Sequence, residues 1–182
     1  MVEGYPLQGG MNMNRYYFAY GSHLSLDQMA HRCPDAIPIG TGKIDGYELL
    51  FRGSRTGSYL TIEPKNDSCV PVLVWEITDT DRQMLDRYEG YPVFYQIEEF
   101  EIEVTPLEGG EPCMQKGFAY VMDQTHPLGR PSDWYYEVCR QGYQRFGFDE
   151  AILEKALRRS TAHQKSVLEG FTLFENKRSK RH

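Results

Sequence analysis

Residues 16–20, Tyr-Tyr-Phe-Ala-Tyr, form an unbroken apolar and aromatic run that stops at Gly21-Ser22, the mark of a buried strand ended by a turn. A helix is expected next, because Ser25 and Gln28 stand at capping-box spacing, Leu26 and Met29 share one side, and Cys33-Pro34 closes the segment. Three more strands are expected at Lys43–Phe51, Ser58–Ile62 and Val70–Ile77, separated by the Gly- and Ser-rich Gly53–Gly57 and the polar Lys65–Ser68. Val70–Ile77 is nearly all apolar, which predicts a central strand. Phe100–Val104 alternates apolar residues with Glu, the period of a strand with one wet face, and Phe118–Met122 adds a further apolar run.

Helical spacing appears in three places. Met84, Leu85 and Tyr88 recur within Asp79–Tyr88, with Thr78 and Asp81 as start signals and Gly90 as a stop. Ser132 is placed to cap a helix reaching about Phe146, and Asp149 a second one with Ile152, Leu153, Ala156 and Leu157 on one face. Strands first and helices late predict an α+β fold with a mostly antiparallel or mixed sheet, curled into a barrel, rather than a doubly wound α/β fold.

The chain has 182 residues, 40% hydrophobic and 25% charged, which fits one globular domain with a single core. We expect a flexible segment over residues 1–14, one domain over 15–174 and a basic tail over 175–182. No run approaches the roughly 18 apolar residues of a membrane span, and residues 1–14 lack the apolar stretch of a secretion signal. A soluble, cytoplasmic protein without membrane contact is expected. Cys33, Cys69, Cys113 and Cys139 make no CxxC or Cys/His pair, so free thiols are expected and a metal site is not. A net charge of −6 argues against nucleic acid as a partner, since Lys and Arg cluster only in the end segment Lys177–His182. That segment reads as a solvated tail, with an interaction protein that uses it on nucleic acid or an acidic partner as the rival reading.

Two segments combine reactive groups with a shape suited to function. In Tyr20-Gly21-Ser22-His23-Leu24 a glycine after a strand lets backbone N–H groups converge ahead of a helix, a cradle for a carboxylate, although such turns are commonly structural. In Leu85-Asp86-Arg87-Tyr88-Glu89-Gly90 the helix end, the neighbouring Asp86 and the aromatic Tyr88, Tyr91, Phe94 and Tyr95 all favour a neutral Glu89. That is the condition for a general acid/base near neutral pH, and the plain alternative is a solvated Glu89 or one paired with Arg87. His31, His126 and His163 read as surface residues, and Trp75 and Trp134 as core or pocket wall.

The two segments in this order resemble the γ-glutamylcyclotransferase family, through Tyr-Gly-Ser-x-Leu at 20–24 and Leu-Asp-x-x-Glu-Gly at 85–90. Tyr95, Tyr120 and the Pro131-Ser132-x-x-Tyr135 entry to a late helix extend the resemblance over Tyr16 to Arg158. It implies a small mixed β-barrel of about six strands flanked by helices, with no metal or organic cofactor. It also implies a small-molecule γ-glutamyl substrate cyclised to 5-oxoproline; a monomer or homodimer is expected. Glu89 would be the catalytic acid/base, and Tyr20, Gly21, Ser22, His23, Leu24, Tyr95 and Tyr120 would bind substrate. The family usually has Asn where this chain has His23, so any contact made by that amide is in question here. A protein of the same fold that binds γ-glutamyl compounds without turning them over is the alternative.

Overall fold

The aromatic run at the start becomes β1 (Tyr16–Ala19), and four strands follow: β2 (Ile37–Ser54), β3 (Gly57–Glu76), β4 (Tyr95–Pro106) and β5 (Cys113–Met122). The computed structural model describes residues 16–54 and 56–162, so the domain boundaries expected at 14/15 and 174/175, His163 and the Lys177–His182 tail lie outside the described residues. The strands close into a barrel in the order β1-β3-β2-β4-β5. All pairings are antiparallel except the closing one, where β1 meets β5 in parallel at Tyr17 and Phe118. This is the α+β mixed barrel expected from the pattern of strands.

Among the described residues five strands stand where six were expected, because Ser58–Ile62 and all of Val70–Ile77 but its last residue belong to one strand. Lys65–Ser68 does not end β3 but bulges from it. Tyr47 faces Pro64 and Asp45 faces Cys69, and the slip is absorbed at Gly46 (φ 75) and Asp67 (φ 58). A polar tetrapeptide, exposed at its first three residues, thus imitates a loop in sequence while the ladder resumes on its far side. Barrel closure depends on Gly40 and Gly42 of β2, where a Cβ would come within 2.4 Å of Val104 Cγ1 and 2.6 Å of the Glu103 carbonyl oxygen respectively. Val72, Leu73 and Val74 are fully buried in succession, so both faces of β3 are covered, and its expected central position holds. Burying each such side chain contributes about 1.5–3 kcal/mol. On β4, Ile102 and Val104 are buried while Glu101 and Glu103 face water.

The helices form where the caps are. In α1 (Leu26–Arg32) Ser25 accepts from the Gln28 N–H, but only this half of the expected box forms, and Gln28 Oε1 is buried without a partner. In α2 (Asp79–Glu89) the box between Thr78 and Asp81 is complete and Gly90 ends the helix in the left-handed region at φ 65. Of the three expected apolar positions on α2 only Leu85 is buried, whereas Met84 and Tyr88 are exposed. Ser132 caps α3 (Asp133–Arg145). Asp149 accepts from the Ala151 N–H at the start of α4 (150–162), and Ser160 of α4 accepts from the Phe51 N–H of β2 at 2.8 Å. Among the described residues no helix is long and apolar enough to cross a membrane, and no cysteine is paired in a disulfide.

Candidate active site

Where β1 ends, the chain turns through a single 3-10 turn, Ser22–Leu24, before α1 begins. The turn is pinned from three sides. Trp75 Nε1 donates to the His23 carbonyl at 3.0 Å, and Leu24 N–H donates to the Gly21 carbonyl at 3.0 Å. From α3, Gly142 lets the Leu24 side chain approach so closely that a Cβ there would stand 2.4 Å from Leu24 Cβ. A Cβ on Gly21 would meet the Tyr135 hydroxyl at 3.2 Å, so glycine here serves close packing.

Beside this turn lies a cavity of about 300 Å³, within the range of small-molecule sites. Its wall brings together residues 20–23 of the turn, Glu89 from the last position of α2, Tyr95 from β4, Tyr120 from β5 and Tyr135 from α3. Of the expected site residues, Leu24 alone is not in the wall. Its side chain is fully buried beneath the turn and its N–H is engaged, so its part is to anchor. The phenols are held by backbone and side-chain acceptors. Tyr95 donates to the Leu60 carbonyl at 2.9 Å, Tyr120 to Asp86 Oδ1 at 2.6 Å, and Tyr20 to the Tyr120 carbonyl, while the Tyr135 hydroxyl accepts from the Leu60 N–H at 3.2 Å. Burial raises the ionisation of all four well above that of a free phenol, so they act as fixed neutral walls.

Glu89 is the one carboxyl among the described residues of this wall. Its side chain is 14% exposed, and burial pushes its pKa up to about 8, with Arg32 pulling the other way. Of the causes expected of the sequence, exclusion of water is the one that acts; repulsion by Asp86 is not among the causes, and its carboxylate binds Arg82 Nε at 3.0 Å and the Tyr120 hydroxyl. The plain alternative of pairing with Arg87 is not what forms. Arg87 is exposed, and the partner is His23, whose Nδ1 lies 3.3 Å from Glu89 Oε1. His23 is itself 2% exposed, and burial, then Arg32, depresses its pKa to about 3. Between those two values both groups are neutral, so this contact is not an ion pair, and the hydrogen bond that His23 Nδ1 makes is with the Tyr17 hydroxyl at 2.8 Å.

Tyr17, Tyr59 and Leu60 also line the cavity, and Arg32 stacks 3.6 Å over the Tyr88 ring; none of the four stood out in the sequence. Tyr17 alternates out of phase with Tyr20 along β1, and only the turn after Ala19 brings both to one cavity. Trp134, expected in the core or a pocket wall, is instead 66% exposed, and its neighbour Tyr135 takes the wall. His126, expected at the surface, is half-buried with its ring 4.9 Å from that of Phe94, while His31 is exposed as expected. Among the described residues no group of His, Cys, Asp and Glu is arranged to hold a metal ion.

Comparison with solved structures gives the same barrel. One titled gamma-glutamyl cyclotransferase is 24% identical, with a TM-score of 0.63 over 78% of this chain and 85% of that one. An uncharacterized human protein is 25% identical, with the same score and coverage. YkqA from Bacillus subtilis is 20% identical with a TM-score of 0.63, over 80% of this chain and 54% of its own. A search of curated proteins returned no significant match. The family model described as gamma-glutamyl cyclotransferase, AIG2-like, matches residues 17–137. That span runs from Tyr17 in β1 through the pinned turn and Glu89 to Tyr135, so it contains the whole cavity wall, and the chain belongs to the gamma-glutamyl cyclotransferase, AIG2-like family.

Proposed function

We propose that this protein cyclises a γ-glutamyl amine or γ-glutamyl amino acid to 5-oxoproline with release of the amine, using Glu89 to carry the proton. The observation that carries this reading is the half-dry cavity in which Glu89, with a pKa of about 8, faces the turn at Ser22 and His23. A single turn leaves its first N–H groups without partners inside it, and these are suited to a substrate α-carboxylate. Attacking amine and target carbonyl belong to one molecule, so a cavity that folds the substrate into a near-attack shape removes much of the entropic barrier. The protein needs no nucleophile of its own.

The reaction balances with one proton moved. As the neutral α-amine attacks the γ-carbonyl carbon, the Glu89 carboxylate accepts a proton from that nitrogen. Glu89 then returns it to the leaving nitrogen as the original C–N bond breaks, giving the lactam and the free amine. A carboxyl poised near neutrality can do both halves, whereas the carboxylate of an ordinary glutamate would be too weak a base for the first. The test is to incubate the protein with a panel of γ-glutamyl compounds and detect 5-oxoproline by mass spectrometry. Release from at least one member is expected. Tight binding of a γ-glutamyl compound with no 5-oxoproline from any member would overturn the enzyme and support a cytoplasmic binding protein of the same fold.

A further inference from the structure

Three oxygen and nitrogen contacts converge on one residue, His23. Its carbonyl is fixed by Trp75, its Nδ1 stands 2.8 Å from the Tyr17 hydroxyl and 3.3 Å from Glu89 Oε1, and its Nε2 is buried with no partner among the described residues. A neutral imidazole carries its hydrogen on one nitrogen only, and which one follows from what is left unpaired. A hydrogen on Nε2 would be a fixed, buried N–H with nothing to receive it, and that costs more than a bare lone pair. With the hydrogen on Nδ1, the Tyr17 oxygen stands 2.8 Å away to receive it and Glu89 Oε1 lies just beyond, at 3.3 Å. The rotatable Tyr17 hydroxyl hydrogen is then left for the cavity that Tyr17 lines.

We propose that His23 is a positioning residue for Glu89: as the Nδ1–H tautomer it donates to Glu89 Oε1 and holds that carboxyl against the turn, with the Tyr17 oxygen sharing the same hydrogen. This rests on the reading of Glu89 as the proton carrier. Around the pair stand Tyr17, Tyr20, Tyr95 and Tyr120, with Tyr88 beside it on α2 and Arg32 as the cation that acts on both groups. A donor on Oε1 favours the carboxylate over the acid, so it strengthens as the proton leaves. An asparagine side chain carries its N–H group the same number of bonds from the backbone as Nδ1, so it keeps a donor in this place. A leucine does not.

The experiment is a carbon-13 titration of the Glu89 carboxyl in the wild-type protein, His23→Asn and His23→Leu. It is joined to nitrogen-15 spectra of the His23 ring and the pH profile of kcat/KM on whichever γ-glutamyl compound is turned over. The wild type is expected to show Nδ1 protonated. His23→Leu should raise the Glu89 midpoint, and the rising limb of kcat/KM, by roughly one pH unit, and His23→Asn should leave both near the wild-type position. An Nε2–H ring, or a folded His23→Leu variant with an unmoved midpoint, would overturn the proposal. Should His23→Leu fail to fold, the ring spectrum of the unaltered protein decides alone. The NMR readouts need no turnover. A shifted midpoint in a protein that makes no 5-oxoproline would sustain the His23–Glu89 link and refute the cyclase reading, while an unmoved midpoint in an active enzyme would do the reverse.

Discussion

Two concavities differ in a way that size alone misrepresents. The larger, about 740 Å³, opens where β2 and β4 diverge beyond their three paired positions and is lined by Lys43, Asp45, Glu101 and Glu103 among others. The smaller, about 300 Å³, is the tyrosine-walled cavity around Glu89. The groove has more charge, but Asp45, Glu101 and Glu103 sit in or near water. The cavity has one carboxyl among the described residues, and burial has changed its chemistry. Reactivity tracks the dryness of a titratable group and the rigidity of its neighbours, not the volume or charge around it.

The contrast can be broken most directly at Glu89. Glu89→Gln, nearly isosteric, is expected to lower 5-oxoproline release by about 10³-fold or more while far-UV circular dichroism stays unchanged. Glu103→Gln in the groove should stay within about twofold. Equal losses would show that the wrong concavity has been chosen. The pH profile comes next. With Glu89 needed as the carboxylate, kcat/KM should rise with a midpoint near pH 8, and a midpoint near that of a free glutamate would remove the buried acid from the mechanism.

Stability supplies a measure independent of turnover. Glu89 is raised from 4.5 to about 8 on folding, so its contribution is fully present below pH 4.5 and is lost as pH climbs through 8. Glutamine does not titrate, and Glu89→Gln should therefore gain on the wild type across that window, by roughly 4–5 kcal/mol above pH 8. Urea denaturation at pH 5 and pH 9 measures the gap; a constant difference would contradict the burial argument. Gly142→Ala should cost about 1–3 kcal/mol by forcing Leu24 and its turn outward, read as a lower midpoint in the same denaturation. The smallest effects are expected from Tyr95→Phe and Tyr120→Phe, about fivefold each in kcat/KM, since each loses one hydrogen bond that orients a wall. If either matched Glu89→Gln, the proton would travel by a phenol instead.

Local signals were read well wherever chemistry between near neighbours sets the structure. Thr78, Asp81 and Gly90 marked both ends of α2, and Ser25, Ser132 and Asp149 each cap the helix they announce. The same holds for the apolar core of β3 and the alternation in β4. The polar Lys65–Ser68 misled, because a bulge inside a ladder and a loop between strands have the same composition and differ only in what pairs beyond them.

Thus the sequence alone determined the element types, the caps, the α+β class and the two motifs at Tyr20–Leu24 and Leu85–Gly90, all of which depend on contacts within a few residues. Tertiary structure alone decided that Tyr17 joins the wall, that Trp134 does not, that Asp86 is occupied by Arg82 and Tyr120, and that Glu89 meets His23. Apart from the Arg82–Asp86 pair, which spans one turn of α2, those outcomes turn on burial and on residues far apart in the chain, and burial is also what raises the pKa of Glu89. Desolvation belongs to the closed barrel and no segment of the chain carries it by itself.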